Sequence, residues 1–281
     1  MGETILVTGA TGLIGSALCA HFRANGMKVL ESRRGIDEVR ASKESIDYIV
    51  HCAAMTASRA FVEQPVETID SVVWLTREVL ELARERSVKS VVYLSSMEVL
   101  VEIDQLCVRA SYPEAKRLAE NLCVAYNHEY GVPVKIVRLA QTFGEGVHYN
   151  DGRVFAQFAR AIIEGRDIVL NTRGETERCY LYVGDAVAAI ETVLQKGENA
   201  QAYVAANEES YCSIREMAER VLAANPNSGS RLVFKLKENS AYLPTIKLRL
   251  DTSLLRALGW HPKVGLDEMF ARLIKDLRTK K

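Results

Sequence analysis

Apolar positions along the chain alternate between the two-residue period of a strand and the longer period of a helix. Residues 3–8 have the pattern of an apolar strand, Ser16 to Ala24 that of an amphipathic helix, and Lys28–Leu30 that of a second strand. The same reasoning predicts strands at 47–52, 90–95 and 133–138 and helices near 66–86 and 112–130. Strands that alternate with helices in this way indicate an α/β fold with a parallel sheet wound with helices.

After Gly144 the pattern is less regular, and it predicts helices near 154–165, 186–196, 213–224 and 266–278. Strand patterns recur at 180–183 and 202–205. We therefore expect a first lobe of residues 1–145, to which 179–205 returns, and a smaller mixed α/β carboxy-terminal lobe of residues 146–178 and 206–281.

Three glycines join the first strand to the first helix. The sequence predicts a tight turn at Gly9, close approach of the backbone to a pyrophosphate at Gly12, and close helix packing at Gly15. The candidate dinucleotide contacts at this turn are Thr8, Gly9, Thr11, Gly12, Leu13, Ile14 and Gly15. The alternative is a glycine-rich turn that binds no ligand.

With Thr8 before it, this glycine spacing resembles the extended short-chain dehydrogenase/reductase superfamily, of the NAD-dependent epimerase/dehydratase type that acts on nucleotide sugars. The resemblance extends over nearly the whole chain. It implies a Rossmann-type fold for the first lobe and a substrate-binding role for the second.

Composition narrows the choice of partner. The 281 residues include 36 Lys and Arg against 36 Asp and Glu, without a long block of one sign, so neither nucleic acid nor an anionic membrane is expected as a partner. The six cysteines are scattered without a Cys-x-x-Cys pair, which fits a reducing cytoplasm. The five histidines lack metal-ligand spacing, and no segment is long and apolar enough to span a bilayer, so we expect no metal site and no membrane partner.

Tyr112 and Lys116 are four residues apart, which places both on one face of the predicted helix. Ser111 and Glu114 form a capping-box pattern at its start. The resemblance implies an active site of Ser96, Tyr112 and Lys116, with Ser95 as the second choice for the serine. We expect Lys116 and an oxidised nicotinamide to lower the pKa of Tyr112, and Ser96 to hold the substrate oxygen. The alternative is a helix whose tyrosine and lysine face solvent.

Glu98 bears on the type of reaction. The resemblance implies an additional acid/base here, as in many dehydratases and decarboxylases of the family. Sugar 4,6-dehydratases also have an aspartate one position earlier, where this chain has Met97. The alternative is a solvated carboxylate in a turn.

The end of the second strand decides between the two nicotinamide cofactors. The position usually acidic in NAD enzymes falls on Arg33, between Ser32 and Arg34, which favours the 2′-phosphate of NADP. If the second strand were shifted in register, the carboxylate of Glu31 could instead bind the ribose hydroxyls, which would favour NAD. The turn 51–54 resembles the family's His-x-Ala-Ala turn, so His51, Ala53 and Ala54 are further candidate cofactor contacts, along with Tyr112 and Lys116. Val72 replaces an asparagine common in the family.

The resemblance also implies substrate contacts at Ser96, Met97, Gln141 and Arg178. A guanidinium at position 178 could donate a bidentate pair of hydrogen bonds to a pyrophosphate.

These features together predict a cytoplasmic, nicotinamide-dependent sugar-nucleotide oxidoreductase or isomerase of epimerase/dehydratase type. Hydride exchange would occur at a sugar carbinol, with Tyr112 as the acid/base. Two alternatives remain open: a net NADPH-dependent carbonyl reductase acting on a keto-sugar, and a non-catalytic NADP-binding regulator. The resemblance implies a homodimer formed through the helices near 66–86 and 112–130.

Overall fold

The computed structural model describes residues 2–33, 35–104, 106–236 and 245–281. The strands are β1 Thr4–Thr8, β2 Lys28–Ser32, β3 Tyr48–His51, β4 Ser90–Ser96, β5 Val134–Leu139, β6 Gln141–Phe143, β7 Ile168–Leu170, β8 Glu177–Tyr182, β9 Ala202–Ala205, β10 Asn207–Ser213, β11 Leu232–Phe234 and β12 Lys247–Leu248. The α-helices are α1 Leu13–Ala24, α2 Asp37–Ala41, α3 Ala60–Glu63, α4 Pro65–Arg86, α5 Ser111–Tyr130, α6 Val154–Glu164, α7 Val183–Lys196, α8 Ile214–Ala223, α9 Ser253–Ala257 and α10 Leu266–Arg278. Short 3₁₀ turns lie at Met97–Leu100, Val108–Ala110 and Pro226–Ser228.

Within the described ranges, six strands form a parallel sheet in the order β2-β1-β3-β4-β5-β9. The predicted α/β class with a Rossmann-type sheet is therefore confirmed. The central strands are apolar on both faces because helices cover them, and every residue of β1 is buried. Leu6, Ile49, Val91 and Ile136 belong to the same core cluster, one residue from each of four strands.

The order of these strands locates the expected ligand edge of the sheet. The chain moves from β1 to β2 on one side and then returns to place β3 on the other side of β1. In open parallel sheets, ligands bind beyond the carboxyl ends of the strands at such a switch point. Here those ends are Thr8 and His51, which are paired in register.

The chain forms two compact units. The first comprises Met1–Leu139, Val187–Ala205 and Ser253–Trp260, and the second comprises Ala140–Ala186, Ala206–Thr252 and His261–Lys281. In the second unit β8 pairs with β10, β12 and β6, and β11 pairs with β7.

The segment expected to return to the first lobe, 179–205, is divided between these units. β9 extends the six-stranded sheet beside β5, but β8 pairs within the second unit, so the strand pattern at 180–183 belongs to the smaller sheet. The sequence pattern predicts that a strand is present but not which strands it pairs with, because apolar and polar residues alternate in the same way in either sheet. The functional roles of the two lobes stay predictions.

The capping box predicted at 111–114 is wrong. The preceding residues Val108–Ala110 already form a 3₁₀ turn, so Ser111 lies inside the helix and Ala110 occupies the N-cap position without a side-chain cap. The Ser111 hydroxyl instead donates to the Phe61 carbonyl at 3.0 Å, and Glu114 pairs with Arg117. α5 is therefore anchored to α3 at its first turn.

Candidate active site

The glycine turn between β1 and α1 is constrained by close backbone contacts. Gly9 has φ +65°, and a Cβ there would lie 2.9 Å from the Ala53 backbone. A Cβ on Gly15 would lie 2.1 Å from the Gly9 carbonyl oxygen. At Gly12 the nearest atom to a Cβ would be 3.4 Å away, an ordinary contact. The fold itself therefore requires glycine at positions 9 and 15, whereas position 12 has room for a Cβ.

The N-terminus of α1 suits an anion. Gly12 is its N-cap, no side chain caps the helix, and its first turn carries no acidic residue. Thr11 and Gly12 are exposed, and Leu13 and Ile14 are half-buried. Uncapped N–H groups and the helix dipole attract negative charge, so the turn fits the pyrophosphate of a dinucleotide.

A buried hydrogen-bond chain links the carboxyl ends of β1 and β3 to α4. Thr8 Oγ1 is 2.7 Å from His51 Nδ1 and accepts from the Ala53 backbone N–H at 3.2 Å. His51 Nε2 is 3.1 Å from Thr76 Oγ1, which donates to the Val72 carbonyl. Because Thr76 uses its proton on that carbonyl, this network assigns the imidazole proton to Nε2.

Burial and the nearby charge of Lys116 lower the pKa of His51 to about 3, so the imidazole is neutral. Thr76 supplies the polar partner from α4, and the sequence analysis missed it. The available signal was a threonine on the buried face of an amphipathic helix, four residues after Val72.

Tyr112 and Lys116 lie one turn apart on α5 and are 6% and 3% exposed. The alternative in which both face solvent is thus excluded. Lys116 Nζ donates to the Leu94 carbonyl at 2.7 Å and lies 4.7 Å from the centre of the Tyr93 ring. Burial lowers the pKa of Lys116 to about 8.

The pKa of the Tyr112 phenol differs from the expectation. Burial raises the pKa of Tyr112, the carboxylate of Glu98 raises it further, and Ser96 and Arg109 lower it. Lys116 Nζ lies 5.9 Å from the centre of the Tyr112 ring and donates one hydrogen bond to the Leu94 carbonyl. Without the oxidised nicotinamide that the expectation includes, burial outweighs the charge of Arg109, and the pKa of Tyr112 is not lowered.

Glu98 is not a solvated turn carboxylate. Its backbone N–H donates to Ser96 Oγ at 3.2 Å, which fixes the turn after β4. Its side chain is 23% exposed and accepts from Arg109 Nη2 at 2.8 Å. Met97 is buried, and the Ser95 hydroxyl is buried without a hydrogen-bond partner among the described residues.

Two residues beside Tyr112 were missed by the sequence analysis. The Phe61 ring stacks on the Tyr112 ring at 4.2 Å with an interplanar angle of 6°. The Arg109 guanidinium carbon lies 4.7 Å from the centre of the Phe61 ring. Phe61 comes from α3, 51 residues before Tyr112, and no local pattern links the two.

The glycine turn and the tyrosine cluster are connected through two aromatic rings. His51, in register with Thr8 and Tyr93, has its ring 5.7 Å from the Tyr93 ring. Tyr93 in turn lies under the ammonium of Lys116. The structure therefore brings Ser96, Glu98, Tyr112 and Lys116 to the same carboxyl edge of the sheet as the turn, and Ala53 and Ala54 follow β3 there.

At the end of β2, Thr8 pairs with Ser32, so Glu31 lies one residue before the end of the strand. The Glu31 carboxylate accepts from Arg23 Nη2 at 2.6 Å. Ser32 is buried and its hydroxyl donates to the Gly35 carbonyl, whereas Arg33 is exposed. Arg34 lies outside the described residues. β2 is therefore not shifted in register along β1 in the way that would place Glu31 at the end of the strand.

The remaining predicted substrate residues are in the second unit. Gln141 begins β6 and pairs with Tyr180 of β8. Arg178, also on β8, lies between Cys212 and Leu248, and its Nε is buried without a hydrogen-bond partner in the described part of the chain. That Gln141 and Arg178 contact the substrate remains a prediction.

The described ranges lack two other features, a cluster of metal ligands and a membrane-spanning helix. No group of three or more His, Cys, Asp or Glu side chains there could hold a metal ion. No helix there combines the length and apolar character needed to cross a membrane. The six cysteines are all free thiols.

Known proteins resemble this chain over most of its length. UDP-glucuronic acid decarboxylase 1 of Xenopus tropicalis is 26% identical, over 98% of this chain and 72% of that protein. UDP-glucose 4-epimerase of Thermotoga maritima, solved with UDP-glucose, superposes with a TM-score of 0.87 at 22% identity, covering 99% of both chains. RMD from Pseudomonas aeruginosa, complexed with NADPH, gives a TM-score of 0.85 at 21% identity over 99% of this chain and 100% of that one.

The structural likenesses establish the shared fold. The sequence profile of the NAD dependent epimerase/dehydratase family matches residues 5–206, which include the glycine turn, the Tyr93 strand and the helix of Tyr112 and Lys116. The match covers well over half of the chain. This protein therefore belongs to the NAD dependent epimerase/dehydratase family.

Proposed function

We propose that this protein is a nicotinamide-dependent nucleotide-sugar enzyme in which Tyr112 is the acid/base for hydride exchange at a sugar carbinol. The observation that carries the proposal is the buried Tyr112–Lys116 pair, connected through Tyr93 and His51 to an uncapped glycine turn. The names of the relatives, a UDP-glucuronic acid decarboxylase and a UDP-glucose 4-epimerase, support a nucleotide sugar as the substrate.

Each side chain has a role that its position supports. The glycine turn and the first turn of α1 would hold the pyrophosphate, and neutral His51 would keep the turn in place through Thr8. Tyr112 would move the proton of the carbinol hydroxyl, and Ser96 would hydrogen-bond the same oxygen. When bound, an oxidised nicotinamide would supply the hydride acceptor and a positive charge near the phenol.

Glu98 would be the second proton-transfer group. Its carboxylate is positioned by Arg109 and acts on the Tyr112 phenol electrostatically, which supports a place within the site. An epimerisation needs only the tyrosine, whereas dehydration or decarboxylation chemistry would use Glu98 as well. The buried Met97 leaves it without the adjacent aspartate of 4,6-dehydratases.

NADP is our preferred cofactor over NAD. Glu31 is occupied by Arg23, so the end of β2 offers no free carboxylate for ribose hydroxyls, and exposed Arg33 follows it. A guanidinium there would pair with the 2′-phosphate. This arrangement also favours the second candidate function, net reduction of a keto-sugar by NADPH, since a reductase exchanges its cofactor at each turnover.

Calorimetric titration with NADP⁺ and NAD⁺ tests this choice. We expect Arg33→Glu to weaken NADP⁺ binding about tenfold or more and to leave NAD⁺ binding nearly unchanged. Arg166→Glu, at another exposed arginine, serves as the charge control. Equal weakening of both cofactors, or tighter binding of NAD⁺ by the wild type, would contradict the preference.

The second unit would bind the nucleotide part of the substrate. We propose that Arg178 and Gln141 contact the diphosphate, and the unpartnered Nε of Arg178 supports this because a buried donor without an acceptor is costly. Arg178→Met should raise KM for the sugar nucleotide with little effect on dinucleotide affinity.

Hydride transfer itself is the direct test of the function. Protein loaded with NADP⁺ or NAD⁺ is mixed with a panel of nucleotide sugars that includes UDP-glucose and UDP-glucuronic acid, and the absorbance of reduced nicotinamide is followed. We expect at least one sugar to produce a transient or lasting signal in the wild type. Tyr112→Phe should lose the signal at least about a thousandfold while it still binds the dinucleotide. An unchanged signal in Tyr112→Phe would overturn the role of the tyrosine. Absence of a signal with every sugar, in protein that binds the cofactor, would favour the non-catalytic alternative.

We also propose a homodimer formed through α4 and α5. These helices pack together and leave large apolar side chains on the surface, including Val66, Ile69, Trp74, Leu118 and Val124, with Trp74 61% exposed. Sedimentation should show a dimer in the wild type and a monomer in Trp74→Glu, while Leu254→Glu, at an exposed leucine of α9, should not change the mass. A monomeric wild type would refute this assembly.

We also propose a cytoplasmic location, which the six free thiols support because thiols stay reduced there.

A further inference from the structure

Arg109 has no role in the site as predicted from the sequence, yet it contacts two of the groups around Tyr112. Its Nη2 donates to the Glu98 carboxylate at 2.8 Å, and its guanidinium carbon lies 4.7 Å from the centre of the Phe61 ring. That ring stacks on Tyr112 at 4.2 Å. The Arg109 side chain is only 16% exposed, so solvent screens its charge weakly.

These contacts are what hold the guanidinium. Arg109 Nη1 is buried and has no hydrogen-bond partner among the described residues, so the ion pair and the ring contact account for its position. The turn that carries Glu98 is held separately by Arg117, whose guanidinium donates to the carbonyls of Val99 and Val101 at 2.9 and 3.0 Å. One arginine therefore fixes the backbone of this turn and the other fixes its carboxylate.

We propose that Arg109 is a positioning residue of the site, which holds the Glu98 carboxylate and the Phe61 ring against Tyr112 and neutralises the field of that carboxylate at the phenol. The proposal rests on the proposed function only in taking Tyr112 as the acid/base. Arg109 acts through its neighbours and is not itself a catalytic residue.

The balance of charge around the phenol gives the direction of the effect. The charged or titratable groups that face Tyr112 are Glu98, Arg109, Tyr93 on β4 and Lys116 on its own helix, with Ser96 as a hydrogen-bond partner. Glu98 raises the pKa of Tyr112 and Arg109 lowers it. Removing the arginine alone should leave the carboxylate uncompensated, whereas removing both charges should largely restore the balance.

The test is a titration of position 112 that needs no substrate. 3,5-Difluorotyrosine, whose phenol is more acidic than that of tyrosine, is incorporated at position 112 of the full chain, and its ionisation is followed by ¹⁹F NMR. We expect Arg109→Met to raise the midpoint by about one pH unit and Glu98→Gln to lower it. The double variant should return to within about half a unit of the parent, and Arg109→Lys, which keeps the charge, should shift the midpoint less than Arg109→Met does.

Arg153→Met is the matched control, because Arg153 also pairs with a carboxylate, that of Asp151, and lies over a ring, that of Phe155. It should leave the midpoint unchanged. An unchanged or lowered midpoint in Arg109→Met, or a raised midpoint in Glu98→Gln, would overturn the proposal. If Arg109→Met does not fold, Arg109→Gln, which also removes the charge, takes its place, and its shift should again be opposite to that of Glu98→Gln, which a structural role alone does not predict. Failure of the proposed function would appear instead as undiminished hydride transfer in Tyr112→Phe, with this titration unaffected.

Discussion

The glycine turn and the tyrosine cluster lie at the same edge of one sheet but are held in place by different physics. At the turn, a Cβ on Gly9 or Gly15 would clash with backbone atoms, so the geometry follows from sterics alone. Around Tyr112, the buried Lys116 and the Glu98–Arg109 pair are held by hydrogen bonds, ring contacts and charge. The turn therefore resists changes of shape, and the cluster responds to changes of charge.

This contrast explains what each region costs the fold. A tight glycine turn costs chain entropy but buries no unpaired charge. A buried ammonium loses most of its hydration, and one carbonyl does not replace it. This cost of burying the charge lowers the pKa of Lys116. Groups that are costly to fold and are nevertheless present are expected at functional sites.

The largest expected effect is at His51, which connects the two regions. Its pKa is about 3 in the folded protein against 6.5 in the unfolded chain, so the unfolded chain binds the additional proton between these values. The free energy of unfolding should thus fall as the pH drops below 6.5, by roughly 3 kcal/mol at pH 4 and roughly 5 kcal/mol below pH 3 from this group alone. Urea unfolding of the wild type and His51→Gln from pH 7 to pH 4 checks this. The two should differ in slope with pH, and parallel slopes would contradict a neutral buried imidazole.

At the glycine turn, two substitutions should separate folding from binding. Gly15→Ala forces a Cβ against a carbonyl oxygen and should lower the free energy of unfolding by about 3 kcal/mol. Gly12→Ala should cost less than about 1 kcal/mol, because φ −76° suits any residue and the Cβ has room, yet it should weaken dinucleotide binding about tenfold or more. Urea unfolding and calorimetry measure the two effects. Unweakened dinucleotide binding by Gly12→Ala would argue against a pyrophosphate at this turn.

In the cluster, removing the buried ammonium should stabilise the fold. Lys116 has a pKa of about 8 when folded and 10.5 when unfolded, so its penalty is complete below pH 8 and is relieved as the pH rises to 10.5. Lys116→Met should raise the free energy of unfolding by about 2 kcal/mol at pH 7, after allowance for the lost bond to Leu94, and most of this gain should vanish at pH 10. Hydride transfer should be lost in the same variant. A less stable Lys116→Met at pH 7 would show that the lysine is retained for stability.

The smallest effect concerns the anchor of α5. Ser111→Ala removes the hydrogen bond to the Phe61 carbonyl and should cost about 1 kcal/mol. Glu114→Ala, which would break a capping box but leaves this bond intact, should cost about half as much or less. Equal losses in urea unfolding would restore the capping-box interpretation.

The same Ser-x-x-Glu pattern shows how far local sequence can be trusted. At 213–216 it forms a complete capping box, because Ser213 is the last residue of β10 and has an extended backbone. At 111–114 it does not, because a 3₁₀ turn precedes it.

The sequence alone predicted the glycine turn, the parallel sheet and the Tyr112 helix, since each depends on local spacing. The sheet to which β8 belongs and the contacts of Phe61, Thr76 and Arg109 depend on residues distant in the chain, which periodicity cannot reveal.

A crystal structure of the protein with NADP⁺ tests most directly whether the turn and the cluster form one site. We expect the pyrophosphate at the N-terminus of α1 beside Gly12, the 2′-phosphate near Arg33, and the nicotinamide next to Tyr112. A dinucleotide bound elsewhere, or one whose nicotinamide lies away from Tyr112, would show that the turn and the cluster do not form one site.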